Sequence, residues 1–254
     1  MDERTEPHTA AVDALADRAY ERAGDEYTRA AWRRLAAPHE GQHSFDADEK
    51  GWIGEGLRFL AAAAVAYRVA GVDERATHRA VEGVAVARDL EHTLDRPVQR
   101  ACLAEFVADF RVVGDVGDAA AAYEDAAEAY REAGEAVDSP QRWATTPLFE
   151  AAAATIKQVA RGLSNGEIAI TWEDLHGSDP GDGGAFLARR AEYKHQRFPS
   201  LLARAVDEGH LAASRGTTEY GNANFRCPAC DSTDVNWVAD RTVCLRCSTR
   251  MERS

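Results

Sequence analysis

The stretch GDVGDAAAAYEDAAEAYREAG, residues 114 to 134, decides how the body of the chain is read. Alanines and two tyrosines, Tyr123 and Tyr130, recur at three- and four-residue intervals, the rhythm of one apolar helix face. Glycine stands at both ends, where a chain can leave a helix through a left-handed residue. The segment that runs into the first glycine, AEFVADFRVVG (104 to 114), shares its layout with three others. These are ALADRAYERAG (14 to 24), AAAAVAYRVAG (61 to 71) and AAATIKQVARG (152 to 162). Their starts, Ala14, Ala61, Ala104 and Ala152, are spaced by 47, 43 and 48 residues. Tyr20, Tyr67 and Phe110 occupy one place in the pattern, and the fourth segment has Gln158 there. Small residues at fixed points let helices approach closely, and an aromatic side chain fills the gap.

Each terminal glycine is followed by a second helical stretch: GDEYTRAAWRRLAA, VDERATHRAVEGVAVARDL, DVGDAAAAYEDAAEAYREAG and SNGEIAITWEDLHG. Asp73 and Asp95 read as N-caps, Ser164-x-x-Glu167 as a capping box, and Pro140 and Pro147 as first-turn prolines. The sum is a mainly α body of about four helical hairpins, stacked as a solenoid or closed as a bundle.

The 254 residues are 45% apolar and 29% charged, the balance of a globular protein. Residues 1–20 are charged and hold no signal-peptide core, and no apolar run reaches the roughly 18 residues of a membrane span. The expected location is the cytoplasm, where paired cysteines serve as metal ligands more often than as disulfides. Acids outnumber bases 43 to 30, and only Lys50, Lys157 and Lys194 are lysines. Acid excess with arginine in place of lysine points to a salt-adapted, halophilic protein. In molar salt the Debye length falls to about 3 Å, so long-range charge attraction is largely lost. Residues 184 to 254 carry net +3 against −16 for the remainder, an asymmetry that fits either two surfaces with different partners or a small, metal-held tail with less surface to load with acids.

The tail contains FRCPACDSTDVNWVADRTVCLRCS, residues 225 to 248. Cys227-x-x-Cys230 and Cys244-x-x-Cys247 are separated by 13 residues, enough for a hairpin that sets one pair beside the other. Val235, Trp237 and Val238, then Thr242 and Val243, supply strand formers around a turn at Ala239-Asp240-Arg241. Four thiolates from two tight turns make the tetrahedron that zinc accepts, with no open coordination position, so the ion is structural. A segment this small folds with the help of such an ion, which contributes about 10–16 kcal/mol of apparent binding free energy. Cys102, alone among apolar neighbours, reads as a core residue.

The body resembles the tetratricopeptide family and its longer-helix relatives. Residues 114 to 130 carry the likeness best, although the repeat length departs from the family's ~34 residues. The resemblance implies a groove for a partner peptide or protein. The segment from 225 to 250 is similar to the zinc-ribbon family, including rubredoxin-like knuckles. Those knuckles carry glycine after the second cysteine of each pair. Here Asp231 and Ser248 stand there, which argues against an iron or electron-transfer role.

Two strings point to an enzyme instead. His39-Glu40-Gly41-Gln42-His43 fits the H-E-x-x-H metalloprotease pattern, and Glu40-x-x-His43 with Asp89-x-x-His92 resembles the di-iron pairs of rubrerythrin. Pro38 and Gly41 place the first string off a helix. A third feature is basic: Arg189, Arg190, Lys194 and Arg197 are interleaved with aromatics, and Arg190, Lys194 and Arg197 would share one helix face. They either contact a phosphate-bearing or protein partner or pair with the acidic body.

The expected organisation is a helical body over 1–177, a linker over 178–184, a basic helical connector over 185–222 and a zinc ribbon over 223–254. The expected function is that of a non-enzymatic adaptor. Its repeats bind a protein, and its ribbon region (Arg189, Arg190, Lys194, Arg197 and Trp237) contacts a second macromolecule, protein or nucleic acid. A metal-dependent enzyme of the body, di-iron oxidase or H-E-x-x-H protease, is the alternative.

Overall fold

The computed structural model describes residues 6–36, 50–162 and 170–254. The strings around His39–His43 and Ser164–Glu167 fall outside the described residues. Among the described residues, ten helices precede a small strand region. They are α1 (Pro7–Ala16), α2 (Tyr20–Leu35), α3 (Gly51–Val69), α4 (Asp73–Glu91), α5 (Pro97–Gly114), α6 (Ala119–Gly134), α7 (Pro140–Ala144), α8 (Pro147–Val159), α9 (Trp172–His176) and α10 (Gly183–Asp207). No helix among the described residues is long and apolar enough to cross a membrane.

Helix α3 is buried on nearly every side from Phe59 to Tyr67, because alanine lets several helices approach it at once. It packs on α2, α4, α5 and α8, and α10 reaches it from the other end of the sequence. The α2–α3, α3–α4, α4–α5 and α5–α6 neighbours pack in succession. The contacts of α8 with α3, and of α10 with α6 and α5, join helices far apart in the chain. Such closure goes beyond nearest-neighbour stacking.

The aromatic place of the repeat is a core place: Tyr20, Tyr67 and Phe110 are all buried. The glycine place is less uniform. Gly71 follows α3 with φ +73°, and Gly114 ends α5 before the left-handed Asp115. Gly24 instead lies within α2, where an added Cβ would sit 2.5 Å from the Tyr67 ring. The first helix breaks earlier, at the left-handed Arg18. The caps also differ from expectation. Val72 and Arg96 occupy the N-cap positions of α4 and α5, one residue away from Asp73 and Asp95. Side-chain caps come from Glu6, Asp118, Thr171 and Asp182. Pro140 and Pro147 open α7 and α8 as expected.

The largest departure concerns α10. The stretch 185–222 reads as a basic connector, yet its helical part is a core helix of the body. Arg190 and Lys194, one turn apart on α10, face Glu105 and Asp109, one turn apart on α5. All four are buried. Arg190 Nε and Nη2 donate to the Glu105 carboxylate at 2.8 Å each, and Lys194 Nζ lies 2.6 Å from both Glu105 Oε1 and Asp109 Oδ2. Tyr130 and Tyr123 of α6 donate to Glu105 and Asp109 at 2.7 and 2.6 Å. The Phe149 and Ala152 carbonyls of α8 accept from Arg190 and Lys194. Burial opposes the charge on Glu105, but Arg190 and Lys194 hold it well below the usual carboxylate range. Burial and the neighbouring Glu105 push Asp109 up to about 6.

Removing one partner of such a cluster leaves a buried charge uncompensated. Lys194→Met is expected to lower stability by ~3–5 kcal/mol in urea unfolding, with part of the loss recovered by adding Asp109→Asn. A second expectation concerns acid. Burial, with a nearby arginine, depresses His8 to about 4 and His176 to about 3, from 6.5. A depressed folded value supplies stability above the unfolded value that is lost as pH falls toward the folded one. Asp109 acts in the opposite sense below about 6, by a smaller shift. Thermal stability should therefore decline from pH 6.5 toward pH 4, and His176→Phe should flatten that decline.

Candidate metal centre

Beyond α10 the chain forms β1 (Thr217–Glu219), β2 (Phe225–Arg226), β3 (Val235–Val238), β4 (Arg241–Cys244) and β5 (Glu252–Arg253). A three-stranded antiparallel sheet runs β1-β3-β4, and β2 pairs with β5. The β3–β4 hairpin closes through two residues, Ala239 and Asp240, with φ +48° and +57°. Paired positive values are the turn that matches strand twist. Arg241, expected in the turn, is paired with Val238 in the ladder.

Two matching knuckles face each other. In the outer one, Cys227–Cys230, the Asp231 amide donates back to the Cys227 carbonyl at 2.9 Å. In the inner one, Cys244–Cys247, the Ser248 amide does the same to Cys244 at 2.9 Å. Asp231 and Ser248 have φ of +61° and +60°, so the positions expected to hold glycine keep the left-handed backbone without it. Aspartate tolerates that region better than most residues. Ser248 is held there by burial, its Oγ accepting from the Ala213 amide at 2.9 Å.

The four sulfurs lie within 4.8 Å of one another, and they form the one such ligand cluster among the described residues. Cys227–Cys247, Cys230–Cys244 and Cys230–Cys247 are 3.5, 3.6 and 3.6 Å apart. A tetrahedron with metal–sulfur bonds near 2.3 Å has edges of about 3.8 Å, so the donor set fits an ion of that size. Thiols packed this closely share charge unevenly. A hydrogen bond from Cys244 draws Cys247 down to about 4, while that same contact and burial raise Cys244. One cation among them would favour all four thiolates. Cys102 is buried in α5, far in sequence from this cluster, and burial pushes its thiol up to about 12.

The ribbon is seated on the body. Arg241 grips Asp13 of α1 through Nε and Nη2 at 2.7 and 2.9 Å, and Arg250 joins at 3.0 Å. Arg161, just past α8, donates to the Ala213 and Leu245 carbonyls. Val238 and Val243 belong to the same apolar core as the helices. Neither Asp13 nor Arg161 carries a motif that marks it in the sequence. Only their distant partners give them meaning.

The expected basic contact face does not exist as drawn. Arg190 and Lys194 are inside the body, because their charges answer Glu105 and Asp109. Arg189 is half-buried and Arg197 is exposed. Trp237 is half-buried, edge-on to Phe225 at 6.4 Å. Asp89 and His92 are exposed at the end of α4. The carboxylates that α5 does bury are matched by arginine and lysine, unlike the metal-facing carboxylates of a di-iron bundle.

A groove of about 570 Å³ runs between α6 and α10. Glu124, Glu128 and Glu132 descend one wall at i, i+4 and i+8, joined by Glu135 and by Glu192 of α10, and Tyr123 and His195 stack at its floor. Arg131 pairs with Glu192 across it. Comparison with family models, with curated proteins and with solved structures returned no match.

Arg161→Met strips two buried carbonyls of their donor. The expected cost is about 1–3 kcal/mol in thermal or urea unfolding, with metal content unchanged, because no ligand is touched.

Proposed function

We propose that the chain is a non-enzymatic interaction protein braced by one structural zinc ion, working in a reducing compartment, the cytoplasm. The observation that carries this reading is the closed set of four sulfurs. Four protein thiolates satisfy zinc completely and leave no position for substrate or water. Thiolate donors select zinc over harder ions, and the five cysteines are free rather than paired in disulfides. The succession of packed neighbours from α2 to α6 supports reading the body as tetratricopeptide-like hairpins, closed by α8 and α10.

On this reading the α6–α10 groove takes a protein segment, and its glutamate wall favours a segment bearing lysine or arginine. At high salt, steering is screened, so the contact depends on close pairing inside the groove and on shape. The ribbon contacts a second macromolecule through the Trp237 face, with Arg197 and Arg189 of α10 as the remaining basic candidates.

Metal analysis of the purified chain should find one zinc per chain, lost in Cys244→Ser. Affinity capture at native salt, with and without nuclease, then reads the partners. The triple exchange E124K/E128K/E132K should lose the protein captured by the wild type, at unchanged zinc content. Capture that survives the exchange overturns the groove assignment. Capture lost on nuclease treatment assigns the partner to nucleic acid instead.

A further inference from the structure

The two cysteine knuckles are alike in backbone and unlike in surroundings. The inner knuckle is buried at Cys244, Leu245 and Ser248. It is held by Arg161, which donates to the Leu245 carbonyl, and by the Ala213 amide, which donates to the Ser248 side-chain Oγ. The strand leading into it is pinned by Arg241 to Asp13, and Val243 lies in the body's core. The outer knuckle is exposed at Pro228, Ala229, Cys230 and Asp231. Among the described residues, the hydrogen bonds and ion pairs of residues 223–232 stay within the ribbon. Cys227 N reaches the Ser232 carbonyl, Arg226 pairs with Asp231, β2 pairs with β5, and Ser254 N reaches the Asn224 carbonyl. Phe225 of this segment covers an edge of Trp237.

We propose that the metal works as a clasp, fastening an outer flap (residues 223–232 with β5) to an inner knuckle that the helical body already holds. This rests on the reading of the four cysteines as a metal site. With the ion in place, Cys227 and Cys230 tie the flap to Cys244 and Cys247. When the ion leaves, the β2–β5 ladder, the Arg226–Asp231 pair and the Ser254–Asn224 bond remain inside the flap, and one aromatic contact with the Met251 N–Thr242 carbonyl bond beside β5 joins it to the hairpin, too little to stay closed in water. The inner knuckle retains Arg161, Ser248 and its place in the core. Metal loss therefore opens one side of the ribbon and uncovers Trp237 while the β3–β4 hairpin stays seated. The exposed face of the ribbon becomes a function of metal supply.

Hydrogen exchange by mass spectrometry on the full chain tests this, with zinc as the added metal and a chelator to remove it. Stoichiometry is measured first. Chelation should speed exchange at least about tenfold over 223–232 and 252–254, while 241–248, 210–214 and α1 change little. Acrylamide quenching of Trp237, read as the difference from Trp237→Phe, should rise in step. In Arg161→Met, chelation should release the inner knuckle together with the flap. If the wild-type hairpin loses protection along with the flap, or if neither segment responds to loss of a bound zinc, the clasp is wrong while the metal site stands. A chain that binds no zinc overturns both.

Discussion

Two carboxylates of α5 meet two cations of α10 out of reach of water, and the remaining architecture depends on that meeting. Sequestering four charges is costly in itself, and the cluster is tolerable only because every oxygen and nitrogen finds a partner. Glu105 receives Arg190, Lys194 and Tyr130, while Asp109 receives Lys194 and Tyr123. The geometry admits one registry of α10 along α5 and α6. A slip by one residue would turn both cations out of line with their acceptors. Apolar packing alone, on an interface so rich in alanine, would be far less selective.

Fixing α10 also fixes the chain beyond it. Residues 210–214 leave that helix buried, and Gln158 and Arg161 at the end of α8 grip the carbonyls of Ala212 and Ala213. The ribbon thus arrives in a set orientation, and Asp13 meets Arg241 and Arg250. The metal centre is consequently part of one continuous frame, with one cysteine pair inside that frame and the other at its rim.

Much of this is legible in the sequence, for identifiable reasons. Helices announce themselves by rhythm, and Tyr20, Tyr67 and Phe110 stand out as core residues because alanine-rich faces leave gaps that only rings fill. The cysteine pairs are legible because chelation by adjacent turns is a local property, encoded within a few residues. The misreadings are long-range. Arg190, Lys194 and Arg197 look alike on a helical wheel, and nothing local separates two buried cations from an exposed one. The missing clue is the matching one-turn spacing of Glu105 and Asp109 inside an apolar run, where unpaired acids have no business. Gly24 is misread for the same reason. Its small size serves a ring on another helix, Tyr67, rather than a helix end.

The link from Asp13 to Arg241 spans 228 residues. Everything from Asp13 to Arg241 must exist before that contact can close. Until Arg241 and Arg250 arrive, α1 rests chiefly on α2, with Asp13 facing water. A contact of such sequence separation closes late, after the helices between its ends have packed.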